Sequence, residues 1–181
     1  MPGRKFLSIL LLGGIFTVLS LSFLAPAWAT WTKYERNPIL EGKPGEWDYD
    51  SVANQNVRYI DGVYKMWYGG NNGNIWQIGY ASSSDGINWV KNKAPVITTE
   101  GAENWTIGNE NRIVKEVSHP TVVFTPPNEY EMWYCVVSTS WQSGNDRSRV
   151  KYARSTDGIH WTVYPGYVLT GTPFAWDRGG Y

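Results

Sequence analysis

Acidic side chains are the groups in this sequence that are best able to do chemistry. Asp50 and Glu116 lie outside the phrases that the sequence repeats, and two carboxyl groups that flank one bond can serve as its acid and its base. The chain contains no zinc-spaced set of Cys and His, no phosphate-binding glycine loop and no nucleophile elbow. The sequence therefore favours carboxylate chemistry, with no cofactor and no metal ion expected.

A repeated phrase accounts for three further aspartates. It reads IGYASSSDGINW at residues 78–89 and VKYARSTDGIHW at residues 150–161, and it places Asp85 and Asp157 directly before a glycine. Asp61 also precedes a glycine. Since Asp can bond its own backbone and Gly can take a positive φ, all three aspartates are predicted to shape turns.

The segments around these turns read as short strands. Each copy of the repeated region contains four strand candidates and no helical periodicity, and in the first copy these are Val57–Ile60, Tyr64–Tyr68, Gln77–Ser82 and Asn88–Lys91. Large aromatic residues occupy both faces of the second candidate, so this strand belongs to a sheet that is covered on both sides. Stacked four-stranded sheets are the blades of a β-propeller, and the sequence therefore predicts an all-β fold.

Three phrases carry a resemblance to a known family. The residues N-P-I-L at 37–40, Y-K-M-W-Y at 64–68 and the repeated phrase resemble the five-bladed β-propeller glycosidases. This superfamily comprises arabinanases, levansucrases and invertases and includes glycoside hydrolase families 43, 32 and 130. The resemblance covers residues 31–181 and implies a five-bladed propeller.

The resemblance also implies how the blades divide the chain. Blade one is expected at about 31–92, blade two at about 93–164, and the start of blade three at 165–181. Two blades and part of a third leave open sheet edges, so the remaining blades of the same protein are the expected partners. A small or self-associating half-propeller is the alternative.

The family places its catalytic carboxylates at the start of the innermost strands. The arabinanase-like branch has an Asp base on blade one, an Asp that tunes pKa values on blade two and a Glu acid on blade three. This sequence has Asn54 in place of the first Asp and His119 at the matching position of blade two. Asn54 and His119 are therefore predicted to bind substrate, while the nearby Asp50 and Glu116 are predicted to be catalytic. The blade-three acid would lie beyond Tyr181.

Aromatic residues divide into repeated and unrepeated positions. The sequence holds 11 Trp and 12 Tyr but only 5 Phe. Trp76 and Trp141 lie in loops outside the repeated phrases, where an indole suits either sugar stacking or ordinary packing, and both are predicted to bind substrate. The tryptophans that recur in register are predicted to be core residues: Trp67, Trp89, Trp133 and Trp161.

The first 29 residues have the pattern of a secretory signal peptide. A basic start precedes a long apolar run, and the small residues Ala27 and Ala29 stand as in an A-x-A cleavage site. The run from Phe6 to Leu24 is longer than most signal cores, so an uncleaved membrane anchor is the alternative. Cleavage after Ala29 predicts a secreted or periplasmic protein that makes no membrane contact afterwards.

Charge and cysteine content argue against two further classes of protein, those that bind nucleic acids and those that are stabilised by intrachain disulfides. The chain has 16 basic and 16 acidic residues, and cleavage after Ala29 removes Arg4 and Lys5, leaving 14 basic residues. This slightly acidic balance argues against a nucleic-acid-binding surface. Cys135 is the only cysteine, so no intrachain disulfide can form, and it is predicted to be a buried thiol.

The resemblance implies a secreted glycoside hydrolase that acts on a polysaccharide or oligosaccharide. Its catalytic set would be incomplete in this chain, because Asn cannot act as a general base. The stretch Asn54-Gln55-Asn56 can form hydrogen bonds but cannot ionise. A non-catalytic propeller module that binds carbohydrate or a protein partner is therefore the alternative function.

Overall fold

The computed structural model describes residues 31–100, 102, 105–107, 110–140 and 146–170. The chain divides into two compact units, Met1–Tyr34 and Glu35–Tyr181, and all the strands belong to the second. The predicted signal segment, Trp141 and residues 171–181 lie outside the described residues. Within the described part of the chain, no helix has the length and apolar character needed to cross a membrane.

All regular structure in the described residues is β-strand, which confirms the predicted all-β class. The ten strands are β1 Ser51–Ile60, β2 Val63–Asn71, β3 Trp76–Ser83, β4 Val90–Lys91, β5 Trp105–Ile107, β6 Glu110–Thr125, β7 Glu129–Ser140, β8 Asp146–Ser155, β9 Thr162–Val163 and β10 Leu169–Thr170. They form one sheet with the order β1-β2-β3-β6-β7-β8-β10, and β4, β5 and β9 pair at its side with β3, β6 and β8. Its two terminal strands do not pair with each other, so the described sheet is not closed.

The strands form two antiparallel groups, β1–β4 and β6–β9, joined by one parallel bridge between Trp76 of β3 and Glu116 of β6. The first group contains the four strands that the sequence predicts. Strand β4 begins at Val90 rather than Asn88, because the backbone and side-chain amides of Asn88 both donate to Asp85. Local turn chemistry therefore decides where this strand begins.

Asp85 and Asp157 shape turns, as predicted. Asp85 Oδ1 accepts the backbone N–H groups of Ile87 and Asn88 at 2.8 and 2.7 Å, and these bonds lower the pKa of its carboxyl group. Asp157 Oδ1 accepts the two corresponding N–H groups, both at 2.8 Å. Burial alone would raise the pKa of Asp157, but the bonds from the His160 side chain and from these two N–H groups lower it overall. Both carboxylates are thus committed to their own turns.

The substitution Asp85→Asn tests this turn through its pH dependence. Because the folded-state pKa lies below the unfolded value of about 3.9, the charge of Asp85 stabilises the fold above that pH and loses this effect as the pH falls further. We expect the difference in unfolding free energy between wild type and Asp85→Asn to be constant above about pH 5 and to shrink below about pH 4. Urea unfolding across this range measures it. A pH-independent difference would contradict the role of the charge.

The main hydrophobic core lies between the two strand groups. Its central residue is Trp67, which is fully buried and whose Nε1 donates to the carbonyl of Gly158 at 2.7 Å. A Cβ at residue 158 would lie 2.9 Å from the Trp67 ring, and Gly158 also has a φ of +80°. Glycine is therefore required where the turn of the second group covers this indole.

The prediction that Trp133 belongs to the core is wrong. Trp133 occupies the same position as Trp67 in the phrase Y-x-M-W-Y, yet it is 36% exposed, and it contacts the ring of Tyr152. The neighbours Met132 and Tyr134 face the first strand group and are buried, so Trp133 lies on the opposite face. No described residue covers that face as the turn at Gly158 covers Trp67. Trp89 and Trp161 are partly buried and pack against the two cores.

A second, smaller core lies on the other face of the first strand group. Met66, Tyr68 and Ala81 are buried there against Trp47, which lies directly over the sheet. Asp48 is fully buried beside Trp47, accepts a hydrogen bond from the Tyr68 hydroxyl and pairs with Lys91. This Trp-Asp pair therefore has a structural role, and the similar pair Trp176-Asp177 of the sequence lies outside the described residues.

Cys135 is half-buried rather than fully buried. Its burial raises the pKa of the thiol, and Glu116 adds to that effect. Since the thiolate is the reactive form of cysteine, the raised pKa disfavours reaction at this residue of β7.

Candidate functional site

The antiparallel register brings the predicted site residues to one end of the sheet, called here the upper end. Ser51, at the start of β1, pairs with Asn71, at the end of β2, and Asn71 pairs with Trp76, at the start of β3. Trp76 pairs in turn with Glu116. The turns at Asp61 and Asp85 lie at the opposite, lower end, because successive turns alternate between the two ends of an antiparallel sheet.

Asn54 and His119 occupy matching irregular positions on the two inner strands. Each lies in a β-bulge, between Ala53 and Asn56 in β1 and between Ser118 and Thr121 in β6. Asn54 has a φ of 55° and His119 a φ of 53°, which is uncommon for residues other than glycine. Bulges redirect side chains and occur often beside functional sites. The structure thus gives the two residues the equivalence that the sequence predicted, although their roles stay predictions.

Two side chains of β1 hold β6 beside it. The Asn56 Oδ1 accepts the backbone N–H of Val122 at 3.2 Å, and the Arg58 Nε donates to the carbonyl of the same residue at 2.7 Å. These bonds replace the ladder that the two inner strands do not form. They fix the two bulges on neighbouring strands. Neither role was predicted, because alternation along one strand does not reveal which residues it contacts in the other strand group.

Glu116, Ser118 and His119 form a connected polar cluster next to the second bulge. The Ser118 hydroxyl contacts the Glu116 Oε1 and lies 2.7 Å from the His119 Nδ1. The His119 Nδ1 lies 3.7 Å from the Glu116 Oε1. Ser118 is fully buried, whereas the side chains of Glu116 and His119 are 23% and 57% exposed. Ser118 was not among the predicted site residues, and its only signal in the sequence was its place between two of them.

Asp50 lies at the upper end but apart from this cluster. It is exposed, its Oδ2 accepts the Ser51 hydroxyl at 3.0 Å, and its backbone N–H donates to the carbonyl of Asn71 at 3.0 Å. Among the described residues, no hydrogen bond or ion pair joins Asp50 to Glu116 or His119. The structure therefore brings Glu116 and His119 into contact, and leaves Asp50 as a separate carboxylate.

Trp76 is partly buried at the upper end, with its ring over the backbone of β2. A Cβ at Gly69 would lie 3.4 Å from the Trp76 Cε3, so the indole rests on this glycine. Part of the ring is thus engaged in packing, and part stays accessible for stacking against a ligand. Trp141, the second predicted platform, lies outside the described residues.

A groove of about 660 Å³ opens on the outer side of the first strand group, and the predicted site residues do not line it. The groove is lined by Trp47, Tyr49, Asn72 and Asn92. Lys91 and its ion-pair partners Glu46 and Asp48 also line it. Tyr49 is 50% exposed and is the neighbour of Asp50 in sequence. This groove was not predicted, because it forms where the β2–β3 loop meets the segment that precedes β1. Within the described residues, no group of three or more His, Cys, Asp or Glu side chains could hold a metal ion.

Comparison with known proteins gives a fold but no family. No protein-family model matches the chain. It is 31% identical over 109 residues to the uncharacterized protein Rv1502 of Mycobacterium tuberculosis, strain ATCC 25618 / H37Rv, and to the uncharacterized protein MT1551 of strain CDC 1551 / Oshkosh. Each match covers 55% of this chain and 30% of the relative. The chain thus spans less than a third of the length of these relatives.

Several solved structures share the fold of the chain. One is a structure from glycoside hydrolase family 130, a family of mannoside phosphorylases that contains glycoside hydrolases targeting β-1,2-mannosidic linkages in Candida mannan. It is 20% identical to this chain, with a TM-score of 0.54, and the match covers 84% of this chain and 45% of that one. Another is a family 117 glycoside hydrolase of the marine bacterium Zobellia galactanivorans (16%, 0.57, 77% and 45%). A third is a complex of BT0996 with RGII (17%, 0.57, 74% and 44%).

These likenesses concern the fold, because the sequence identities are low. The chain spans less than half the length of each of the three structures. The neighbours agree with the resemblance of the sequence to the propeller glycosidases. The described chain therefore has the all-β fold of part of a glycoside hydrolase.

Proposed function

We propose that this chain is part of a secreted glycoside hydrolase that binds a polysaccharide or oligosaccharide at the upper end of its sheet. In this proposal, β1–β4 and β6–β9 are the first two blades of a five-bladed propeller, and further blades of the same protein complete the site. The signal-like residues 1–29 support secretion. The fold shared with glycoside hydrolases supports the class of activity.

The observation that carries the proposal is the pair of matching bulges at the upper ends of β1 and β6. They hold Asn54 and His119 on neighbouring inner strands, next to Glu116 and Trp76. Amide, imidazole, carboxylate and indole groups are those that recognise sugar hydroxyls and sugar faces. The likeness to a complex that contains the carbohydrate RGII supports the same class of ligand.

Each residue has a distinct role in this proposal. Glu116 and Asp50 are the carboxylates that exchange protons or stabilise positive charge during hydrolysis, with the remaining acid supplied by a further blade. Asn54 and His119 form hydrogen bonds with sugar hydroxyls. Trp76 stacks against a sugar ring, and Trp141 is proposed for the same role.

A non-catalytic carbohydrate-binding module is the second candidate, and the residue at the first bulge favours it. Asn54 stands where the resemblance implies a catalytic Asp, and an amide cannot accept a proton from water as a general base. Such a module would still bind a glycan through Trp76 and the polar cluster.

A glycan panel tests both candidates, with binding and hydrolysis measured for the same variants. If the chain belongs to a hydrolase, Glu116→Gln should lower hydrolysis by the protein about 100-fold or more, with the glycan Kd changed only a few-fold. If it belongs to a binding module, wild type hydrolyses nothing, and Trp76→Ala should weaken binding about tenfold.

Asp85→Asn, at the lower end, is the matched control and should change neither hydrolysis nor binding. The panel is measured by calorimetry and by release of reducing sugar. Absence of binding and of hydrolysis across the panel would contradict the proposal. A carbohydrate site at the lower end would be indicated if Asp85→Asn alone reduced binding.

A further inference from the structure

The Ser118 hydroxyl has two polar neighbours and only one proton to give. It contacts the Glu116 Oε1 and lies 2.7 Å from the His119 Nδ1. An ionised carboxylate can only accept, so the Ser118 proton must point to Glu116. The lone pair of the hydroxyl then faces the His119 Nδ1, and this nitrogen must be the one that carries a proton. Ser118 is fully buried, so water does not reach its hydroxyl.

We propose that Ser118 is a positioning residue that fixes the tautomer of His119. The chain of bonds runs from the His119 Nδ1–H to the Ser118 oxygen and from the Ser118 O–H to the Glu116 carboxylate. In the neutral ring, the Nε2 is then the acceptor. The tautomer of a histidine is set by the bond that its other nitrogen makes, and here that bond is made by a buried serine.

The backbone supports this arrangement. His119 has a φ of 53° inside the bulge of β6, where a regular strand would send the side chains of neighbouring residues to opposite faces. In the bulge, the His119 ring instead lies against the side chain of the residue before it. A left-handed non-glycine residue costs about 1–3 kcal/mol and persists only where surrounding contacts hold it.

The consequence for binding rests on the proposed function. An Nε2 that carries a lone pair accepts a hydrogen bond, so the 57% exposed ring of His119 would recognise a ligand hydroxyl at the upper end. A ring with Nε2–H would instead seek an acceptor, and the site would select a different pattern of polar groups. Ser118 thus determines which sugar group His119 can contact, although it does not itself reach the ligand.

The nitrogen NMR signals of His119 test the proposal without any glycan. The chain contains two histidines, so His160→Asn assigns the signals, and asparagine is the residue that the first copy carries at this position, Asn88. At about pH 8.5, two units above the ordinary histidine pKa of about 6.5, wild type should show a protonated Nδ1 and an unprotonated Nε2 on His119. A protonated Nε2 in wild type would overturn the proposal.

Two variants separate the serine from the carboxylate. In Glu116→Leu, the Ser118 proton is free to turn to the Nδ1, so the protonated signal should move to the Nε2. In Ser118→Ala, the preference for Nδ1–H should be lost. If Ser118→Ala keeps the full preference, Glu116 acts directly across the 3.7 Å gap, and Ser118 is not a positioning residue.

His160 provides the internal control for folding. Its Nδ1 lies 2.7 Å from the Asp157 Oδ2, so this nitrogen is protonated too, and neither variant touches that pair. Unchanged His160 signals show that the turn at Asp157 is intact, and an unchanged urea-unfolding transition shows that each variant is folded. Since the readout needs no ligand, loss of the expected tautomer and a negative glycan panel are separate results.

Discussion

Trp67→Ala is expected to destabilise the fold by about 3–5 kcal/mol, which is the usual cost of removing a buried aromatic side chain. Trp67 is fully buried between the two strand groups, where its ring contacts Tyr80, Tyr130 and Trp161. Its Nε1 also satisfies the carbonyl of Gly158. The substitution would leave a cavity and would leave the Gly158 carbonyl with only the longer bond from the Trp161 Nε1, at 3.1 Å. Denaturant unfolding gives the difference in free energy.

Trp133→Ala is the matched control, because Trp133 holds the same position in the second copy of Y-x-M-W-Y. It is 36% exposed, so its removal should cost only about 1–2 kcal/mol. Trp67→Phe keeps an aromatic ring but removes the bond to Gly158, whose carbonyl still accepts from Trp161, and the lost bond itself should cost about 0.5–1.5 kcal/mol. Equal losses for Trp67→Ala and Trp133→Ala would contradict the view that the second strand group covers the first.

Asp48→Ala is expected to cost about 3 kcal/mol or more, because it leaves the buried Tyr68 hydroxyl without its acceptor and Lys91 with only the partly exposed Glu46 as an ion-pair partner. Asp48 is fully buried, and both of its oxygens lie 2.9 Å from the Lys91 Nζ. Its Oδ2 also accepts the Tyr68 hydroxyl at 2.9 Å. Burial raises the pKa of Tyr68, and the Asp48 charge raises it further, so this hydroxyl stays a donor. Thermal or urea unfolding measures the loss.

Glu46 provides the control for Asp48, because it contacts the same lysine but its side chain is partly exposed. It contacts the same Lys91 Nζ, but its side chain is 39% exposed, and an exposed pair contributes about 1 kcal/mol or less. Glu46→Gln should therefore cost less than a third of the loss in Asp48→Ala. Asp48→Asn should fall between them, since the amide still accepts from Tyr68 but leaves Glu46 as the one carboxylate paired with Lys91 among the described residues. Similar losses for Glu46→Gln and Asp48→Ala would show that burial of Asp48 does not matter.

The turns and hairpins of this protein follow from its sequence, because their physics is local. An Asp followed by a Gly supplies a side-chain acceptor and a residue that takes positive φ. The bonds that the Asp accepts come from residues no more than three positions further along the chain. Asp85 and Asp157 therefore form their turns as predicted. The strands beside them follow from the same signals. Errors occur at strand ends, as at Asn88, where a turn bond competes with the ladder.

The equivalence of Asn54 and His119 was also accessible from the sequence, since both precede the same apolar pattern. Their left-handed conformation was not, because a bulge breaks the alternation on which strand prediction depends. The Ser118 contact depends on that conformation. For the same reason, no pattern in the sequence singled out Ser118 as a partner of Glu116 and His119.

The exposure of a side chain was decided by tertiary structure alone. Trp67 and Trp133 stand in nearly identical phrases, yet one is fully buried and the other is 36% exposed. Their difference lies in what covers each face: the turn at Gly158 covers Trp67, and no described residue does the same for Trp133. The sequence by itself determined the turns, the strands and the positions of the site residues along them. Only the packing of one strand group on the other decided burial and contact, because these depend on residues far away in sequence.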